Sequence, residues 1–174
     1  NLLAELSRRG MTVAKDDPRL DKLLDAVKER ESRGYAYESA DASFELLARR
    51  VMGHVPEYFA VESFHVTTER RFNALGQLVS VSEAVVKMDV GSERLLTVAE
   101  GNGPVNALDR AMRKDLGIYA DAIADLELVD YKVRILNGGT EAVTRVLIES
   151  TDASGDSWFT VGVSANIVDA SFEA

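Results

Sequence analysis

The sequence predicts an α+β protein in which a small helical segment precedes two βββα units related by pseudo-twofold symmetry. Three observations predict it. Apolar residues recur at three and four before about Pro56 and at alternate positions after it, which are the periods of helix and strand. The second half repeats itself at an offset of 63 residues, the separation of Thr97 and Thr160, so Leu95-Leu96-Thr97-Val98 falls on Trp158-Phe159-Thr160-Val161 and Val105-Asn106-Ala107 on Val168-Asp169-Ala170. In both copies the last strand runs into a helix through a polar turn. One such unit cannot bury its own apolar face, whereas two, or four in a dimer, can.

In chain order, Leu2, Leu3 and Leu6 begin a helix, and Asp16-Asp17-Pro18 starts a second that carries Leu20, Leu23, Leu24 and Val27 before Gly34 stops it. A third follows Ser39, with Ala42, Phe44, Leu47, Ala48 and Val51 on its apolar side, Ser39 or Asp41 as its cap and Gly53 at its end. Helices this short need something else to pack on. Strands are expected over 59–68, 78–90, 94–99, 124–135, 142–150 and 157–163, with helices over 104–114 and from about 166. The domains read as 1–56, helical, and 57–174, with repeat units of about 57–118 and 119–174.

Composition narrows the function classes. A net charge of −9 argues against nucleic acid, which needs a concentrated basic surface. No apolar run approaches the roughly 20 residues of a membrane span. Without cysteine there is no disulfide, thiolate metal site or cysteine nucleophile, and with no export signal at its start the chain reads as cytoplasmic. Its two histidines, His54 and His65, stand in no metal-ligand spacing, and no nucleophile elbow, P-loop or complete dinucleotide fingerprint occurs. The expectation is no catalytic residue and no metal ligand.

The helix starts, Glu100-Gly101-Asn102-Gly103-Pro104 and Gly162-Val163-Ser164-Ala165-Asn166, have the chemistry to hold an anion: free backbone N–H groups, a positive dipole end and glycines that admit a ligand. Read from the residues alone, plain strand-to-helix turns are the favoured account of them. Between them lie Leu128, Tyr131 and Ile135; Leu128 and Tyr131 differ in parity, so only a bulge places them on one face. On one face they would wall a pocket for a small aliphatic ligand, though Tyr131 also reads as an ordinary half-buried strand tyrosine.

Three stretches carry a family resemblance: Gly34-Tyr35-Ala36-Tyr37-Glu38-Ser39-Ala40-Asp41-Ala42-Ser43-Phe44-Glu45-Leu46-Leu47, Ala99-Glu100-Gly101-Asn102-Gly103-Pro104-Val105-Asn106-Ala107-Leu108, and Thr160-Val161-Gly162-Val163-Ser164-Ala165-Asn166-Ile167-Val168-Asp169-Ala170-Ser171. With these the chain resembles the C-terminal linker and regulatory region of the citramalate synthases, relatives of 2-isopropylmalate synthase and homocitrate synthase. The resemblance implies a parent acyltransferase that joins acetyl-CoA to pyruvate in isoleucine biosynthesis. Its catalytic barrel, with a divalent metal, lies outside this chain, which should be inactive alone and need no cofactor. It further implies a homodimer and feedback inhibition by isoleucine. Carried over by motif, the effector residues are Asn102, Gly103, Val105 and Asn106 at the first helix start, Leu128, Tyr131 and Ile135 on the strand, and Ala165 and Ile167 at the second start. Relatives often carry a small or acidic residue at the position of Asn106. A leucine-sensing 2-isopropylmalate synthase region and a ligand-free dimerisation module remain alternatives.

Overall fold

The computed structural model describes residues 2–53 and 55–174. Helices α1 (Leu2–Arg8), α2 (Arg19–Ser32) and α3 (Asp41–Val51) come first. Two βββα runs follow: β1 (Phe59–Phe72), β2 (Leu78–Val90), β3 (Glu93–Gly101) and α4 (Pro104–Lys114), then β4 (Glu127–Ile135), β5 (Thr144–Thr151), β6 (Ser157–Ser164) and α5 (Ile167–Glu173). Each run builds an antiparallel sheet in chain order, β1-β2-β3 and β4-β5-β6. This is the α+β, doubled βββα architecture that the period change and the repeat predict. Single 3₁₀ turns at Tyr37–Ser39, Gly117–Tyr119 and Asp121–Ile123 are additional.

The chain forms two compact units, Glu57–Asp125 and a discontinuous one made of the residues up to Pro56 together with Leu126–Ala174. In the first, α4 packs on β2 and β3. The alternate residues Ala84, Val86, Met88 and Val90 of β2 are buried, as are Ala107, Leu108 and Ala111 of α4. Gly101 lets that helix come close, since a Cβ there would meet Ala107 N at 2.5 Å and Asn106 Oδ1 at 2.7 Å.

In the discontinuous unit the second sheet is covered on both faces. Val146 and Ile148 face Ala170 of α5, while Val161 and Val163 join Leu6, Leu23, Tyr37, Phe44 and Ala48 in a core shared with the helical segment. The three short helices thus find their partner within this chain. Pro18 sits at the start of α2, where Asp17 Oδ1 accepts the Arg19 N–H at 2.9 Å. The expected cap of α3 is different: Ala40 occupies that position without a side-chain bond, because the side chain of Asp41 is used elsewhere.

That use is on β6. Backbone N–H groups of Phe159, Val161 and Val163 donate to Asp41 Oδ1 at 2.8 Å, Ser43 Oγ at 2.9 Å and Glu173 Oε2 at 3.0 Å. Alternate residues of an edge strand turn their N–H groups away from the neighbouring strand, so these three side chains seal the open margin of β6. On β3, the carbonyls of Val98 and Glu100 accept from Lys114 Nζ at 2.8 Å and Arg110 Nη1 at 3.0 Å.

Candidate functional site

The first helix start is a β-to-α turn without a side-chain cap on the helix. Gly103 is extended at the N-cap of α4 and makes no side-chain cap; Pro104 follows with no N–H to satisfy. Ala107 N–H closes the first turn on Gly103 O at 2.9 Å, while Asn106 Oδ1 accepts the Asn102 N–H at 3.3 Å. The N–H groups of Val105 and Asn106 therefore stand at the positive end of α4 as donors for a carboxylate. Asn106, on this geometry, braces the turn with its carbonyl oxygen.

The second start differs. Asn166 caps α5 with its own side chain, Oδ1 accepting from Val168 N–H at 2.8 Å and Asp169 N–H at 3.4 Å. Two donors that an anion would use are already satisfied. Ala165 and Ile167 flank this cap, both exposed.

Along β4, the register slips between Leu128 and Asp130. Leu128 pairs with Ser150 and Tyr131 with Ile148, residues on one face of β5, so the bulge does bring Leu128, Tyr131 and Ile135 onto a common face. Its charged neighbours lie at the slip: Asp130 accepts from Lys132 Nζ at 2.6 Å, which holds its carboxyl below the usual range, and from the Tyr131 N–H at 2.9 Å. Leu128 is 47% exposed and Ile135 65%, because α5 is only seven residues long and covers part of this face. Tyr131 is half-buried. Its hydroxyl lies 2.6 Å from Ser171 Oγ, and since Ser171 donates to Ile167 O at 2.6 Å, Tyr131 is the donor to Ser171.

Sequence reasoning missed a cleft of about 710 Å³ in the discontinuous unit, lined by the end of α2 (Glu31 to Gly34), by Leu136, Asn137, Val143 and Arg145, and by Val163 to Ala165. Arg145 Nε donates to Gly34 O at 2.5 Å. Gly34 has φ +109°, and a Cβ there would collide with Leu136. Beside it, Tyr35 donates its hydroxyl to Glu173 Oε1 at 2.5 Å, with the Arg30 guanidinium 5.2 Å from the ring centre. Burial and that carboxylate push the Tyr35 hydroxyl up to about 12. No sequence signal marked Arg145, but the motif that contains Gly34 and Tyr35 had been singled out.

Among the described residues no group of three or more His, Asp or Glu side chains is placed to hold a metal ion, and no helix is long and apolar enough to cross a membrane. His65 lies exposed in β1, and His54 falls outside the described residues.

Comparison with known proteins supplies what the geometry alone does not. The (R)-citramalate synthase of Streptomyces coelicolor is 47% identical over 168 residues, 95% of this chain and 30% of the relative. That of Synechocystis is 45% identical over the whole chain and 32% of its own length. A 2-isopropylmalate synthase of Clostridium kluyveri is 27% identical over 97% of this chain and 29% of its own length. The chain spans about a third of the length of these curated relatives. The family described as the LeuA allosteric (dimerisation) domain matches residues 38–174, from Glu38 in the 3₁₀ turn before α3 through both βββα runs to the end of α5. By its doubled βββα architecture and this match, the chain belongs to the LeuA allosteric (dimerisation) domain family.

Proposed function

We propose that this chain is the C-terminal regulatory region of a citramalate synthase, that it forms a homodimer, and that it binds isoleucine as a feedback inhibitor. The observation that carries the reading is the similarity of the whole chain to (R)-citramalate synthases at 45–47% identity, over a fold whose family is allosteric. The parent enzyme joins acetyl-CoA to pyruvate in a barrel outside this chain, where the divalent metal also belongs. This region supplies no catalytic group and works in the cytoplasm.

Two elements, each taken by itself, have the chemistry for a zwitterion with an aliphatic tail. Free N–H groups at the start of α4, beside Asn102, Gly103, Val105 and Asn106, suit the carboxylate. The exposed apolar face of Leu128, Tyr131 and Ile135, with Ala165 and Ile167, suits the tail. Isoleucine should raise the melting midpoint of this chain at concentrations where leucine does not, since selective binding to the native state stabilises it. Leu128→Ala should weaken that shift and leave a dimer in sedimentation. If neither amino acid moves the midpoint nor gives heat in calorimetry, sensing is wrong.

A second reading, a dimerisation module without a ligand, is favoured by two observations: Asn166 already caps α5, and Tyr131 already donates to Ser171. It requires a dimer indifferent to both amino acids.

A further inference from the structure

We infer that the cleft between the end of α2 and the second sheet is a binding site for a small carboxylate carrying an aliphatic group, separate from the helix starts. The inference does not rest on the reading above.

Its floor is apolar: Leu136, Val143 and Val163 line it, and Gly34 at its edge holds φ +109°, a conformation that side chains rarely adopt. Its polar groups are mostly donors. Arg145 is half-buried, and its Nε bond to Gly34 O fixes the guanidinium at the cleft wall with the terminal nitrogens left over. Arg33 lines the same cleft, 6.0 Å from the Tyr35 ring centre. Asn137 accepts the Val143 N–H at 2.7 Å and so leaves its amide nitrogen to donate.

What points to an anion is that half-buried Arg145 holds no carboxylate among the described residues, whereas the half-buried arginines Arg9, Arg30, Arg49 and Arg113 each do, in a chain where acids outnumber bases 29 to 20. Exposed Arg33 adds a second positive charge at the same cleft. A guanidinium half-withdrawn from water without a counter-ion is unfavourable, and a bound carboxylate removes that penalty through paired, charge-assisted hydrogen bonds. The volume of about 710 Å³ lies within the range of small-molecule sites. Two sources share this chemistry. A simple organic acid would use the arginines and the apolar floor, whereas an amino acid would also place its ammonium group near Glu31, the one acid in the cleft.

The test is a methyl-resolved NMR titration of the 174-residue chain with 3-methylpentanoate, with isoleucine and with neutral 3-methylpentan-1-ol. Either acid should shift the methyl signals of Leu136, Val143 and Val163, and the alcohol should shift them far less. Arg145→Met should weaken the binding about tenfold or more, as expected for loss of a charged hydrogen-bonding pair. Because Arg145 also holds Gly34, Arg33→Met serves as the milder variant and should weaken binding about threefold. Isoleucine without 3-methylpentanoate assigns the site to amino acids, and Glu31→Gln should then weaken it; the reverse assigns it to organic acids. Millimolar acid that leaves the cleft methyls unmoved overturns the inference, as do equal shifts by the alcohol or undiminished affinity in both arginine variants. Isoleucine shifts confined to Val105, Leu128 and Ile167 would overturn it while sparing the helix-start reading. Shifts confined to the cleft would do the opposite.

Discussion

Glu173 ties three groups together. One oxygen takes the Tyr35 hydroxyl, the other takes the Val163 N–H, and Arg30 lies 3.6 Å away. Because folding holds the Tyr35 proton to about pH 12 against an ordinary 10, the stability it brings is complete below pH 10 and is lost as pH rises towards 12. Tyr35→Phe should therefore flatten that alkaline limb of the melting-midpoint curve and cost about 1 kcal/mol at neutral pH, read by thermal unfolding. Gly162 lies against α5. The sequence put it at the end of an expected strand and the start of a turn open to ligand, and in β6 a Cβ on it would overlap Ala170 O and approach Ala174 N to 2.8 Å. Gly162→Ala should cost about 2 kcal/mol or more by displacing α5, a loss visible in urea unfolding. The repeat could not show this, since its partner position in the first unit, Ala99, is not a glycine.

At the scale of elements, periodicity was enough to place the five α-helices and six strands found among the described residues, and α4 lies where Pro104 and Lys114 bound it. Ends were less legible: β1 continues to Phe72, four residues past its expected stop, because pairing with β2 continues through Arg70, Arg71 and Phe72 where the side chains no longer alternate. Capping was misread at α3 because Asp41 and Ser43 answer a strand far along the chain, a long-range use that local rules do not contain. Asp41→Ala and Ser43→Ala should each cost about 1 kcal/mol and speed hydrogen exchange at Phe159 and Val161 specifically, leaving β2 amides unchanged. The bulge on β4 was legible only as a condition, since a sequence records which parity is broken and not where the extra residue sits.

For the molecule as a whole, the repeat made the doubled fold readable, but it concealed how the helical segment is used. Val161 and Val163 look like any strand residues, yet they share a core with Leu6, Leu23 and Phe44 from the other end of the chain. Removal of the residues before Pro56 should therefore abolish protection of β5 and β6 amides while those of β2 remain protected, as hydrogen exchange with mass detection would show. The candidate effector residues were legible through motif alone. The arginine-lined cleft was not, because Gly34 and Arg145 are brought together by packing across 111 positions of sequence. The closed margin of β6 carries one more consequence. A stray extended peptide recruited through its backbone to the second sheet must lie along β4, so that layer can be extended at one side alone and is a poor template for fibril growth.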